Sequence, residues 1–174
     1  MAAYGGLVLL VVPGLLAAQE LPESEEPEEA EAANEVAVFL GDTRKDGHDT
    51  FTIGLDYERR LSERHGVGFL ADWAATDQER EFIAAVPYFY HPPQLPGLKF
   101  IVAPGLEFVG EDVEVDAGEG EVEIETEHET LFLVRIGAGY AWELGRFIVG
   151  PQVNWDLVDG PDAFVFGVSA GIGF

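Results

Sequence analysis

The sequence predicts an all-β protein, an eight-stranded antiparallel up-and-down transmembrane β-barrel. Three observations favour this fold. From Asn34 onward, apolar residues recur with a period of two, which places alternate side chains on opposite faces of a strand. The apolar positions of eight such runs carry no charge. The alternate positions carry glycines and polar groups, which suit the narrow interior of a small barrel.

The first 33 residues are expected to lie outside the barrel. Residues 1–18 are apolar and end in small residues, but a helix needs about 20 apolar residues to span a bilayer. This run is shorter and is interrupted by Pro13 and Gly14, so it predicts a secretory signal peptide, with a buried apolar segment as the alternative. Residues 19–33 are rich in Glu and Pro and predict an acidic disordered linker. The barrel is expected over residues 34–174.

The eight strands are predicted from their apolar faces. These faces cover residues 36–40, 51–57, 67–73, 82–90, 100–108, 132–142, 147–155 and 164–174. The opposite face carries nine glycines, which are not expected on the solvent-exposed outer surface of a soluble barrel. They are Gly54, Gly68, Gly105, Gly137, Gly139, Gly150, Gly167, Gly171 and Gly173. The apolar face is therefore expected to point to lipid, and the glycine and charged face inward.

The connections are expected to alternate between the two ends of the barrel. Residues 42–50, 76–80, 111–129 and 156–162 would lie at one end, and residues 61–65, 91–97 and 144–145 at the other. Leu144-Gly145 is predicted as a two-residue hairpin turn. This turn would pair Trp142 with Phe147 on the lipid face and Arg135 with Asn154 inside.

The C-terminal strand carries a resemblance to a known group of proteins. It ends Gly-Val-Ser-Ala-Gly-Ile-Gly-Phe, with Ala170, Ile172 and Phe174 alternating on one face. This resembles the terminal strand of bacterial outer-membrane barrels, and residues 34–174 are similar to the small barrels of the OmpA transmembrane, OmpX and OmpW type. The resemblance implies a porin-like protein in the outer membrane of a Gram-negative envelope. It also implies that these three residues form the signal read by the barrel assembly machinery.

Composition excludes several functions. The chain has 33 acidic and 9 basic residues and a net charge of −24, so it lacks the clustered Lys and Arg of a nucleic-acid-binding protein. It has no cysteine, which excludes disulfides, a thiol nucleophile and a cysteine zinc site. No cofactor is expected.

Seventeen of the acidic residues lie in two segments, residues 20–31 and 111–129. The second segment is expected to be an extracellular loop that continues two strands as a hairpin. Its residues Glu111, Asp112, Asp116 and Glu121 could make weak contacts with divalent cations. Because their spacing matches no calcium-loop signature, diffuse screening by such ions is the favoured interpretation.

The inward charges allow two interpretations. Arg135 is predicted at about the height of Glu107, Asp72 and Asn154. This group could be a gate or selectivity element of a cation-preferring pore. It could also be a packed ion-pair core, which is favoured because eight strands leave an interior just wide enough for side chains.

An enzymatic role is not expected. Some barrels of this size use a His with a Ser near the outer rim, where the base must reach the hydroxyl. His48 and His128 could lie at that rim, but the serines, Ser24, Ser62 and Ser169, are predicted elsewhere. The expected function is a structural or surface-interaction role through the acidic loop. A narrow channel for small solutes is the alternative, and a lipid A-modifying rim enzyme is the least favoured.

Overall fold

The computed structural model describes residues 33–76, 79–118 and 121–174. For residues 79, 112–118 and 121–125 it describes the backbone but not the side chains. The predicted signal peptide and nearly all of the linker lie outside these residues. Within them the chain forms ten strand segments. These are β1 (Asn34–Lys45), β2 (His48–Ser62), β3 (His65–Ala75), β4 (Glu79–Ala85), β5 (Tyr88–Tyr90), β6 (Leu98–Gly118), β7 (Glu121–Tyr140), β8 (Trp142–Leu144), β9 (Phe147–Val158) and β10 (Ala163–Gly173).

The segments form one closed barrel of eight antiparallel strands. β4 and β5 are two parts of one strand, since both pair with β3 and β6. β7 and β8 are likewise two parts of one strand, and both pair with β9. The barrel closes where β1 pairs with β10, from Glu35 opposite Gly173 to Lys45 opposite Ala163. The predicted fold class is confirmed. No helix in the described residues is long and apolar enough to cross a membrane.

The two ends of the barrel differ. We call the end that holds Asn34 and Phe174 the turn end, and the opposite end the loop end. At the loop end, β1 and β2 are joined by Asp46 and Gly47, whose φ angles of 50° and 81° fit a type I′ turn. Most of the predicted connection 42–50 therefore belongs to these two strands.

The long strands β6 and β7 form the predicted hairpin at the loop end. They pair continuously from Leu98 opposite Tyr140 to Gly118 opposite Glu121, with one register shift near the tip. The last apolar outward position on β6 is Phe108, which is opposite Thr130. At about 3.4 Å per residue, the hairpin continues roughly 30 Å beyond this level.

The register between β7 and β9 differs from the prediction. The turn is formed by Gly145 and Arg146, and Leu144 rather than Trp142 is opposite Phe147. The predicted pairing of Arg135 with Asn154 is therefore wrong, because Arg135 is opposite Asp156. Gly145 has a φ of 65°, so the glycine takes the first central position, as in a type II′ turn. The shift is two positions in the pairing, which leaves every side chain on its predicted face.

The two faces of the barrel are those that the sequence predicts. Large apolar side chains cover the outside, including Trp73 at 57% exposure and Trp155 at 50%. Charged groups lie inside, including Arg135 at 1% and Asp156 at 0%. Such a continuous apolar belt needs a cover, and lipid supplies it while the closed sheet satisfies the backbone groups.

Candidate functional site

An ion-pair triad lies inside the barrel at the level of Trp73 and Trp155. The guanidinium of Arg135 donates from Nε to Asp156 Oδ1 at 2.6 Å and from Nη2 to Asp156 Oδ2 at 2.8 Å. Its Nη1 donates to Asp72 Oδ2. All three side chains are at most 3% exposed. A guanidinium presents its donors as a planar fork, so it holds carboxylates from two walls of the barrel at once.

The other two residues predicted at this level have different partners. Glu107 accepts a hydrogen bond from Lys45 Nζ at 2.8 Å, and Lys45 also donates to Glu81 at 2.6 Å. The amide of Asn154 has no hydrogen-bond partner among the described residues. The predicted group thus divides into the Arg135 triad, a Lys45 cluster nearer the loop end, and a separate buried amide.

Sequence reasoning missed two inward lysines and one histidine. Lys45 and Lys99 have the parity of the inward faces of β1 and β6, and Lys99 Nζ lies 3.3 Å from Glu35 Oε1. The prediction ended the first strand at Leu40, which placed Lys45 in a loop. His91 follows β5 and its Nε2 lies 2.7 Å from Glu58 Oε1 at the turn end. Continuing the period-two count past Leu40 would have found Lys45.

Inward glycines make room for the buried polar side chains. A Cβ at Gly54 would overlap Asp72 Oδ1, and a Cβ at Gly137 would overlap Asn154 Oδ1. A Cβ at Gly66 would likewise overlap the Glu58 carboxylate. These three glycines therefore leave the space that a polar side chain of the neighbouring strand occupies.

The interior has two sectors of opposite character. The apolar sector is a cluster contributed by β3 to β7. It contains Leu70, Ile83, Ala85, Phe89, Ile101, Ala103 and Leu133. The polar sector is contributed by β2, β9 and β10 and contains Asp56, Gln152, Asn154 and Ser169, each with at least one buried polar atom that has no partner among the described residues.

The loop end outside the triad is acidic. Glu111, Glu127 and Glu129 are exposed on the paired strands β6 and β7. Of the predicted cation contacts, Glu111 lies opposite Glu127 in the hairpin, and the side chains of Asp112, Asp116 and Glu121 lie outside those described. The described residues contain no cluster of three or more His, Asp or Glu side chains able to hold a metal ion.

The C-terminal strand lies at the seam of the barrel. Ala170, Ile172 and Phe174 face outward, and Phe174 is 63% exposed. The backbone of Phe174 exchanges two hydrogen bonds of 2.9 Å with Asn34. The last residue therefore closes the sheet onto the start of β1 and presents its ring to the lipid at the turn end.

Among the described residues, neither rim histidine has a serine beside it in the sheet. His48 is opposite Lys45, and His128 is opposite Gly110. Ser169 lies opposite Phe39 and Gly150 on the inward face of β10, and Ser62 lies at the turn end opposite His65.

Comparison with known proteins supports the fold. No family model and no curated protein sequence matches the chain. The N-terminal β-barrel domain of Pseudomonas aeruginosa OprF is similar in structure, with a TM-score of 0.53 and 13% identity, covering 82% of this chain and 99% of that one. Ail, the attachment invasion locus protein of Yersinia pestis, has a TM-score of 0.55 and 11% identity, covering 83% and 99%. Neisserial surface protein A has a TM-score of 0.51 and 10% identity, covering 81% and 96%.

Ail has also been solved in a phospholipid bilayer nanodisc and in complex with the heparin analogue sucrose octasulfate. At these identities the similarity concerns the fold. The predicted resemblance is confirmed at that level, and the predicted outer-membrane location agrees with it. The chain has the fold of the small eight-stranded outer-membrane β-barrels.

Proposed function

We propose that the protein is an outer-membrane barrel with a closed interior, which uses its acidic β6–β7 hairpin to contact cationic groups outside the membrane. The observation that carries this proposal is the hairpin itself, two paired strands that continue roughly 30 Å past the apolar belt. A structure that projects so far beyond the lipid is available to a partner. Divalent cations that accumulate near the acids would modulate this contact.

The closed interior supports a contact role over transport. The Arg135 triad links β3, β7 and β9 across the barrel, and the apolar sector fills the space beside it. Eight strands leave little room beyond that needed by side chains. A catalytic role is not favoured, because catalysis needs a nucleophile within reach of a base and neither rim histidine has a serine opposite it in the described strands.

The sign of the charge determines the class of partner. Residues 111–129 hold ten acids and no Lys or Arg. Ail, whose fold is similar, binds a polysulfated sugar, and the hairpin of this chain would repel such a polyanion. The expected partner is a polycation, such as a Lys-rich or Arg-rich protein surface.

Surface binding tests this proposal. The refolded protein, in zwitterionic nanodiscs, is passed over polylysine and over heparin surfaces at several salt concentrations. We expect salt-dependent binding to polylysine alone, and loss of that binding when Glu123, Glu125 and Glu127 are replaced by Gln. The control replaces Glu63 and Glu143, which lie at the turn end, by Gln. Equal binding of the two variants would contradict a role for the hairpin.

A narrow channel remains the second candidate, because one observation favours it. The buried polar atoms of Asp56, Gln152, Asn154 and Ser169 lie in one sector of the interior without partners among the described residues, and such groups are commonly satisfied by water. Planar-bilayer recordings of the refolded protein separate the two functions. We expect no steady conductance, and a stable cation-selective conductance would favour the channel.

We also propose that Phe174, Ile172 and Ala170 act as the assembly signal. Their exposed positions at the end of the C-terminal strand support this, since their side chains point away from the interior. Deletion of Phe174 is expected to lower outer-membrane levels in cells while the chain still refolds in detergent. Normal levels in cells would contradict the assignment.

A further inference from the structure

Three polar rings form a cluster on the outer surface of the barrel at the turn end. His65 on β3 is opposite Tyr90 and diagonal to Tyr88, both of which belong to β5. The centroid of the His65 ring lies 5.9 Å from that of Tyr88 and 5.7 Å from that of Tyr90. Its Nδ1 lies 2.6 Å from the Tyr88 hydroxyl. We call these three residues the ring cluster.

Arg59 lies beside the ring cluster on the outward face of β2. It is exposed and opposite Val67, which is in turn opposite Tyr88. His65 precedes Val67 by two residues on β3, so Arg59 and His65 are diagonal neighbours, with about 7 to 8 Å between their Cα atoms. Because the Val67 side chain is short, the guanidinium and the imidazole flank the space above it.

The acidic side chains of the turn end lie away from this surface. Of the four acids that the described residues place at this end, three line a vestibule of about 610 Å³ at the mouth of the barrel, namely Glu35, Glu63 and Glu143. The fourth, Glu58, is 2% exposed, and its Oε1 lies 2.7 Å from Nε2 of His91. Arg59 has no hydrogen-bond or ion-pair partner among the described residues. The outer surface thus carries a basic group whose counter-charge is not supplied by the described residues.

The level of Arg59 in the barrel is that of the turn-end aromatic residues. Tyr140 and Trp142 are 40% and 53% exposed on the outside of this end, with ring centroids 5.5 Å apart. Such residues occupy the boundary between acyl chains and headgroups. Val67 and Phe69, which are 37% and 46% exposed, continue the outward face of β3 toward the middle of the apolar belt. The surface is therefore basic at headgroup level and apolar at acyl-chain level.

We propose that Arg59 and the ring cluster bind the phosphate of an anionic phospholipid in the leaflet at the turn end, with an acyl chain along Val67 and Phe69. The guanidinium of Arg59 pairs with two phosphate oxygens through parallel N–H donors. When the Tyr88 hydroxyl donates to Nδ1 of His65, Nε2 carries the ring proton and donates it to the phosphate. An anionic headgroup is expected rather than a zwitterionic one, because the described residues offer no outward acid here to pair with a headgroup ammonium. This site lies at the opposite end of the barrel from the hairpin and goes beyond the function proposed above.

Arg64 provides a matched control in the turn between β2 and β3. It is exposed, and it lines the vestibule rather than the outer surface. Arg64→Gln therefore removes the same charge from the same end of the barrel without changing the ring cluster. Arg59→Lys is a second comparison, because lysine keeps the charge of Arg59 and lacks its planar fork of donors.

Retention of lipid tests the proposal. The protein is refolded into nanodiscs that contain equal amounts of phosphatidylglycerol and phosphatidylcholine with the same acyl chains, transferred to a maltoside detergent, and examined by native mass spectrometry. We expect the wild type to retain one phosphatidylglycerol in preference to phosphatidylcholine. The double variant Arg59→Gln/His65→Gln should lower that preference about tenfold, since hydrogen bonds to a charged group are lost. Arg59→Lys should lower it less, and Arg64→Gln should leave it unchanged.

The outcomes separate this site from other sources of lipid binding. The side chains of Arg59, Arg64 and His65 are exposed, so each variant should fold, which heat-modifiable gel migration checks. Equal retention of the two lipids by the wild type would overturn recognition of an anionic headgroup. An unchanged preference in the double variant would overturn the location. An equal loss in Arg64→Gln would overturn it as well, because the total charge of the turn end would then set the preference. Displacement of the lipid by inorganic phosphate would show a free-phosphate site instead.

Discussion

The apolar and polar sectors of the interior are held together in different ways. In the apolar sector, Leu133, Ala103, Leu70 and Ile101 are at most 1% exposed and pack against one another. In the polar sector, the strands approach closely because glycines face each other. A Cβ at Gly167 would overlap the Leu40 carbonyl oxygen and lie 2.6 Å from the Gly41 Cα. The apolar sector depends on side-chain packing, whereas the glycines on the polar side pack against the neighbouring backbone and against the buried ring of Phe39.

The Arg135 triad joins the two sectors. Arg135 extends from β7 next to Leu133 of the apolar cluster, while its partners lie on β3 and β9. Removal of one member of a buried ion pair leaves a charge without compensation, which is far more costly than removal of an exposed charge. The triad is therefore expected to be the point at which the barrel is most sensitive to a single change.

The largest expected effect comes from Arg135→Ala. This variant leaves the Asp72 and Asp156 carboxylates buried and unpaired, so the free energy of unfolding should fall by about 3 to 5 kcal/mol. The measurement is the urea midpoint in a refolded lipid system. Arg44→Ala, which removes an exposed partner of Asp49, should change it little. The triple variant Arg135→Met/Asp72→Asn/Asp156→Asn should recover much of the loss, and no recovery would mean that the charges do not explain it.

The sequence predicted the faces of the barrel but not this partner of Arg135. Side-chain direction follows a period of two, so each of the buried charges could be assigned to the inside from parity. Pairing depends on where the turn falls, and Leu144-Gly145 and Gly145-Arg146 both preserve parity. Moving the turn by one residue changes the pairing by two positions and exchanges Asn154 for Asp156 opposite Arg135.

The second effect tests the apolar sector. Leu133 is 0% exposed within the apolar cluster, so Leu133→Ala should leave a cavity and lower the free energy of unfolding by about 2 to 5 kcal/mol. Leu157→Ala on the lipid-facing surface of β9, where Leu157 is 43% exposed, is the control and should cost less. Urea midpoints of the two variants are compared in the same lipid. Equal losses would mean that the cluster is no more tightly packed than the lipid interface.

The third effect tests the close approach of strands in the polar sector. Gly167→Ala places a methyl group against the backbone of β1, and overpacking of this kind costs about 1 to 3 kcal/mol. Gly110→Ala is the matched control, because its Cβ would meet only ordinary contacts. Both variants are compared by the temperature at which half of the protein shifts from folded to unfolded migration on a gel. A Gly167→Ala barrel as stable as Gly110→Ala would show that β1 and β10 can separate at no cost.

The smallest effect should come from Asn154→Leu, and its sign distinguishes a hydrated polar sector from a dry one. Asn154 is 2% exposed, and neither amide atom has a partner among the described residues. A buried amide of this kind is usually satisfied by water, so an apolar replacement should lower the free energy of unfolding by about 0.5 to 1.5 kcal/mol. The reciprocal change, Leu133→Asn, places an amide among apolar groups and should cost more than Asn154→Leu. Urea midpoints measure both, and NMR cross-peaks between water and the Asn154 amide report hydration directly. If Asn154→Leu stabilises the barrel and no water contact is seen, the polar sector is dry.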